Sequence, residues 1–171
     1  SYTRSHSPST SRTGARSTQR RDAAGWRRAP LVDLDAFDRR LAKLEELLGD
    51  LRRIAPKRPG DRNSFLADRG VQAQAERWLQ LAAECCIDLA HHLIADRGWR
   101  SPRTYRETFE ILRDHGVLDA ESAVAMQGWA GLRNVLAHLY MDVDHARICD
   151  VLERELDQLD RFAAAVARVT E

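Results

Sequence analysis

The sequence predicts an all-α protein, an antiparallel bundle of about five helices. Three observations lead there. Apolar residues recur every three or four positions through most of residues 31–171, the spacing that lines one face of a 3.6-residue helix. The punctuation between those runs suits helix ends, with Pro56, Pro59 and Gly60 in one gap and Gly98, Pro102 and Gly116 in others. No stretch shows strand alternation with hairpin turns, and tandem repeats are absent.

Each helix has its own signature. The first follows Asp33, a candidate N-cap, and carries Leu34, Phe37, Leu41, Leu44, Leu48, Leu51 and Ile54 on one stripe. It must stop in residues 55–63, which hold two prolines and a glycine. A long second helix is expected from about Ser64 to Asp96, loosened in its first turns by Gly70, with Trp78, Leu81, Ala82, Cys85, Leu89 and Leu93 inward. Gly98 ends it. Thr104 and Glu107 form the T-x-x-E box of a short third helix, whose apolar face is Tyr105, Phe109 and Leu112. Gly116 supplies its left-handed end. Asp119 caps a fourth helix carrying Val124, Trp129, Leu132 and Leu136. The fifth runs from near Asp144 to about Val169 on Ile148, Leu152, Leu156, Leu159 and Phe162.

The charge is divided unevenly. The 171 residues hold 27 Lys+Arg and 26 Asp+Glu, for a net +1. Residues 1–30 contain seven arginines and one acid, so they carry +6, whereas residues 31–171 hold 20 bases and 25 acids and carry −5. The expected organisation is a basic arm, residues 1–30, on a single helical domain, residues 31–171. The arm has six Ser and four Thr, and Trp26 and Tyr2 are its only large hydrophobes. Such a segment buries too little apolar surface to offset its ordering entropy, so disorder is expected. It reads either as a contact to RNA phosphates or as a solvated tail.

Several classes are excluded. No apolar run approaches the ~20 residues that span a bilayer, and the N-terminus has no apolar core of a secretory signal. Three cysteines, with Cys85 and Cys86 adjacent, suggest core packing in a reducing cytoplasm. There is no Gly-rich phosphate loop and no G-x-S-x-G motif. His91, His92 and Asp88 share a helix, but the ligand count is poor for a metal. Neither a metal site nor a cofactor is expected. His115 reads as a helix C-terminal histidine and His145 as exposed. Trp78, Trp99 and Trp129 read as core or interface aromatics.

The informative stretch is Gly131-Leu132-Arg133-Asn134-Val135-Leu136-Ala137-His138-Leu139-Tyr140. It begins on an apolar helix face and ends in polar, titratable groups. Asn134 and His138 are four apart and share a face. Arg133 and His138 are five apart, about 140° around a straight helix at ~100° per residue. Either the helix bends or ends near His138, or a second copy of the chain completes the site. Read alone, Arg133 could bridge helices through an acid, His138 could cap a helix end, and Tyr140 could be core.

The run Arg133-Asn134-x-x-x-His138-x-Tyr140 resembles the R-x4-H-x-Y motif of HEPN-type ribonuclease toxins, particularly the HepT (DUF86) family. Its surroundings are similar too: Ala75-Glu76-Arg77 on the long preceding helix, Ile87-Asp88-Leu89-Ala90-His91-His92, then Pro102 with Tyr105-Arg106-Glu107-Thr108-Phe109. The likeness spans roughly residues 31–169. It implies a HEPN-like bundle and metal-independent endonucleolytic cleavage of RNA by a homodimer whose motifs face each other. It also implies an antitoxin partner, a nucleotidyltransferase of the MNT type, that adenylylates the motif tyrosine, here Tyr140.

The residue types suit that chemistry. The unperturbed pKa of histidine, about 6.5, makes His138 a fit proton carrier. Arg133 stays charged and holds phosphate oxygens with a planar fork. Asn134 supports by orienting His138 or holding a helix end. The resemblance leaves Asp88 as a secondary contributor. The competing expectation is a HEPN-like binding module that pairs with a nucleotidyltransferase without cutting RNA. The −5 body favours that alternative, because RNA enzymes usually show a basic surface. A local basic cleft formed by Arg133 with Arg97, Arg100 or Arg106 would reconcile the acidic body with cleavage.

Overall fold

A computed structural model describes residues 34–138 and 143–170. Among them the chain forms seven helices and no strand: α1 (Leu34–Ile54), α2 (Asp61–Ala67), α3 (Arg69–Asp96), α4 (Tyr105–Asp114), α5 (Ala120–His138), α6 (His145–Arg154) and α7 (Leu156–Arg168). α3, about 42 Å long at ~1.5 Å per residue, is the central element. The other six helices all contact it.

The predicted stripes form the core. Phe37, Leu44, Leu48 and Leu51 of α1 are buried, as are Leu89 and Leu93 of α3 and Ile148, Leu152, Leu156, Leu159 and Phe162 of α6 and α7. Phe109 meets Phe162 edge to face, with centroids 5.9 Å apart at 84°, a favoured geometry for two ring quadrupoles. Cys86 is buried and Cys85 partly so, as core packing requires. Trp129 is buried, and its Nε1–H donates to Gln158 Oε1 at 2.9 Å.

Two of the five expected helices are divided. The Ser64–Asp96 segment breaks at Asp68, whose backbone is extended (φ −107°, ψ 97°). Its Oδ1 accepts from Gly70 N at 2.9 Å and Val71 N at 3.1 Å. The carboxylate thus satisfies donors that a continuous helix would have paired. Gln72, buried, donates to the carbonyls of Phe65 and Leu66 at 3.0 and 2.9 Å, closing the end of α2. The break therefore lies two residues before Gly70. The last predicted helix is interrupted at Glu155, which leaves ideal helical dihedrals (φ −117°, ψ −8°) while Arg147 grips its carboxylate.

The expected caps at Asp119 and Thr104 form, and Asp144 caps α6. Asp119 accepts from Ser122 N at 2.7 Å, Asp144 accepts from Ala146 N at 2.9 Å, and Thr104 Oγ1 accepts from Glu107 N at 3.2 Å. α3 and α4 end alike, on left-handed Gly98 (φ 64°) and Gly116 (φ 73°). In each case the next N–H reaches back five residues, Trp99 N to Ile94 O at 3.0 Å and Val117 N to Leu112 O at 2.9 Å. Trp99 then stacks on His115, centroids 3.9 Å apart. His145 differs from expectation: it is half-buried, with Nε2 2.7 Å from Glu76 Oε1. The candidate cap Asp33 lies outside the described residues, as does the whole 1–30 arm. No helix among the described residues is long and apolar enough to cross a membrane.

Two residues assigned to apolar faces point elsewhere. Val124 is 65% exposed and Tyr105 36% exposed. Periodicity places both near a buried stripe, but Val124 faces outward and Tyr105 lies in an open cleft, its ring near Arg133 and His91.

Candidate active-site cleft

Arg133 lies on α5 where that helix packs against both α3 and α4. Glu84 of α3 accepts from Arg133 Nε at 3.2 Å and lies 3.1 Å from Nη2. The same oxygen accepts from Gln80 Nε2 at 3.0 Å, one turn earlier. Tyr105, the first residue of α4, lays its ring 5.4 Å from the guanidinium carbon. Such a cation–π contact is worth about 0.5–2 kcal/mol, depending on desolvation. Arg133 is thus fixed along one edge by a carboxylate and across one face by an aromatic ring. Its Nη1 edge faces Asn134 Oδ1 at 3.5 Å, too long for a strong bond, and stays available to an anion.

Asn134 is exposed and lines a cleft of about 410 Å³ with His91, Pro102, Arg103, Thr104 and Tyr105. His91 Nε2 lies 3.0 Å from Thr108 Oγ1, and Thr108 in turn donates to Thr104 O at 3.2 Å. With the hydroxyl proton committed to that carbonyl, His91 must donate, so neutral His91 carries its proton on Nε2. Burial pushes the His91 pKa down, against Asp88, which raises it, and with His92, which lowers it. The lowered pKa favours the neutral ring.

His138 is the last residue of α5 and is exposed. It stands one turn beyond Asn134 on the same face. α5 runs as one helix from Ala120 to His138, so the divergence of Arg133 and His138 around the axis is retained. Tyr140 lies outside the described residues. Asp88 is turned to α1, where its Oδ2 is 3.6 Å from Arg40 Nε. Of the arginines expected near the motif, Arg97 donates to Val169 O and Arg100 pairs with Glu107. The arginine that lines the cleft is Arg103. Sequence reasoning missed Glu84, Tyr105 and Arg103 as site residues. Only the T-x-x-E box hinted that the start of α4 is ordered, and nothing local marks Glu84.

Residues 38–166 match the ribonuclease HepT-like family. The chain is 25% identical over 103 residues to the mRNA nuclease HepT of Shewanella oneidensis, covering 60% of this chain and 77% of that one. It is 27% identical over 104 residues to the tRNA nuclease HepT of Aphanizomenon flos-aquae, covering 61% and 71%. The fold matches a solved tri-AMPylated Shewanella oneidensis HEPN toxin in complex with MNT antitoxin, with a TM-score of 0.71 at 21% identity, over 78% of this chain and 98% of that one. The family match extends over most of the helical domain, and the chain belongs to the ribonuclease HepT-like family.

Proposed function

We propose that the chain is the toxin of a toxin–antitoxin pair, an endoribonuclease that works without a metal ion and acts as a homodimer. The observation that carries this reading is the fixing of Arg133 by Glu84 and by Tyr105, which with Asn134 lines the adjacent cleft, His138 standing one turn beyond Asn134 on α5. A structural arginine would spend its whole fork on its partner, whereas here one edge is left for phosphate oxygens.

The reaction follows from RNA chemistry. A histidine removes the proton of a 2′-OH, and that oxygen attacks the adjacent phosphorus in line. The bond to the 5′-oxygen breaks, and a second proton donor protonates the leaving oxygen. The products are a 2′,3′-cyclic phosphate and a 5′-OH. Arg133 stabilises the charge that develops on the phosphorane. One His138 cannot serve as base and acid in the same step, and two protomers supply two. An exposed stripe on α5 supports pairing there: Val124, Gly128, Gly131 and Val135 recur with the spacing of one helix face and lead to His138. A side chain added at Gly128 or Gly131 would meet nothing within 4 Å in the monomer, so the helix surface is open to a close neighbour.

In this reading an MNT-type nucleotidyltransferase is the antitoxin. It transfers AMP from a nucleoside triphosphate to the Tyr140 hydroxyl with loss of pyrophosphate. The added phosphodiester opposes RNA phosphate by charge and bulk. Mass spectrometry after co-expression with the nucleotidyltransferase should find the added AMP on Tyr140; AMP found only at other residues would end this part of the reading. Asp88 is assigned no more than a distant electrostatic role.

A second reading, a non-cutting partner of a nucleotidyltransferase, is favoured by one observation: Glu84 offsets the Arg133 charge within an acidic body. Expression of the chain alone in a bacterium separates the two. Growth arrest by wild type, and none by Arg133→Ala or His138→Ala, supports the nuclease. Equal harmlessness of all three supports the binding module. A purified wild-type chain that cuts RNA in excess chelator supports metal independence.

A further inference from the structure

The cleft beside Arg133 is larger than one phosphate requires. Its volume of about 410 Å³ lies in the ~300–1,000 Å³ range of pockets that take a whole small molecule. Two of its features exceed what holding one phosphate needs. The first is the Tyr105 ring, exposed although Phe109, one turn later on α4, is fully buried. The second is Arg103. Its side chain makes no ion pair or hydrogen bond among the described residues. Glu107, which feels its charge, is already held by Arg100 and by the Arg103 backbone N–H. Arg97, Arg113, Arg147 and Arg161 all have carboxylate partners. Arg69, Arg77, Arg106, Arg154 and Arg168 also lack such a partner among the described residues, but Arg103 is the arginine that lines the cleft, and its charge is free for a ligand there.

We infer that Tyr105 and Arg103 form a subsite for one nucleotide of single-stranded RNA, next to the phosphate held by Arg133. This rests on the ribonuclease reading above and adds to it where the neighbouring nucleotide sits. The base joins the layer that Arg133 and Tyr105 already form, adding a third flat π-surface to an arginine–aromatic pair. The backbone phosphate lies against Arg103. Single-stranded RNA is selected because a base must leave its own stack to join a protein ring; a duplex does not offer that face. The acidic body gives the subsite its use. A domain with net −5 cannot gather RNA by its overall field, so binding depends on local cations and on stacking, which is insensitive to net charge.

The test is fluorescence anisotropy with the full chain carrying His138→Ala, which prevents turnover, and a fluorescein-labelled single-stranded oligoribonucleotide or its blunt duplex. The parent should bind the single strand more tightly than the duplex. Adding Tyr105→Ala should weaken single-strand binding about 5- to 100-fold, while Tyr105→Phe, which keeps the ring, should bind as the parent does. Adding Arg103→Ala should weaken binding and lower the slope of log affinity against log salt by about 0.7. Equal affinity for single strand and duplex overturns the inference, as does unchanged affinity in both Tyr105→Ala and Arg103→Ala. If Arg103→Ala instead escapes neutralisation by the nucleotidyltransferase while its RNA affinity is unchanged, the cleft is a protein-docking surface and the inference fails. Cleavage by the chain with His138 intact is scored separately. Binding through Tyr105 without cleavage retains the subsite and removes the nuclease reading. Cleavage with KM unmoved by either substitution removes the subsite and retains the nuclease.

Discussion

Glu84 of α3 and Arg133 of α5 meet at 3.1 Å across 49 residues of sequence, and Glu84 accepts from Gln80 with the same oxygen. The pair is largely shielded, with side-chain exposures of 31% and 19%. Hydrogen bonds involving a charged group at such sites contribute about 1.5–3 kcal/mol. Glu84→Gln keeps an acceptor but loses the charge that fixes the guanidinium. RNA cleavage under single-turnover conditions should slow by about 10-fold, with the fold intact by circular dichroism, since ~1.4 kcal/mol is one decade. Glu84→Ala should slow it further. Cleavage at wild-type rates by Glu84→Ala would mean that Arg133 needs no holding.

The open face of α5 makes a prediction about assembly. Gly131→Glu adds bulk and like charge where two copies of α5 would approach. Within one chain nothing lies in the way of the new side chain, and replacing glycine in a helix interior contributes up to about 1 kcal/mol of helix propensity. The variant should elute as a monomer by light scattering, stay helical, and lose RNA cleavage. A variant still dimeric and active would place the interface elsewhere.

His91 predicts a pH dependence of stability. Its pKa is lowered in the fold, chiefly by burial, so the unfolded chain takes up the proton more readily. The stability contributed by neutral His91 is therefore full above the unfolded value of about 6.5 and declines as pH falls toward the lowered folded value. Urea unfolding between pH 8 and pH 5 should show a steeper loss in wild type than in His91→Gln, which can still donate to Thr108. Parallel curves for the two proteins would remove His91 as the source. Asp88 and His92 face it with opposite effects, and both variants retain them.

Residues 1–30 hold the +6 but precede the family match, which begins at residue 38. We expect a chain starting at residue 31 to cut RNA within a few-fold of the full chain, as measured by gel assay. Loss of cleavage in a truncated protein with an unchanged helical spectrum would assign the arm a direct part in RNA binding.

The sequence by itself determined which segments are helical, where most of them start and end, and which residues are candidates for the chemistry. Those are local properties. A stripe at ~100° per residue, a carboxylate placed to accept the first free N–H groups, and a glycine free to turn left-handed all act within a few residues. They located the caps at Thr104 and Asp119, a helix start near Asp144, the ends at Gly98 and Gly116, and the run from Arg133 to His138. Tertiary structure decided the rest. It turned Asp88 to Arg40, paired Glu76 with His145, left Val124 uncovered and brought the Tyr105 ring to Arg133. Periodicity says that a face is apolar or polar but not which neighbour meets it. That choice depends on how α3, α4 and α5 settle against one another, and so Glu84, an ordinary acid on a long helix when read along the chain, becomes the partner of Arg133 only in the folded bundle.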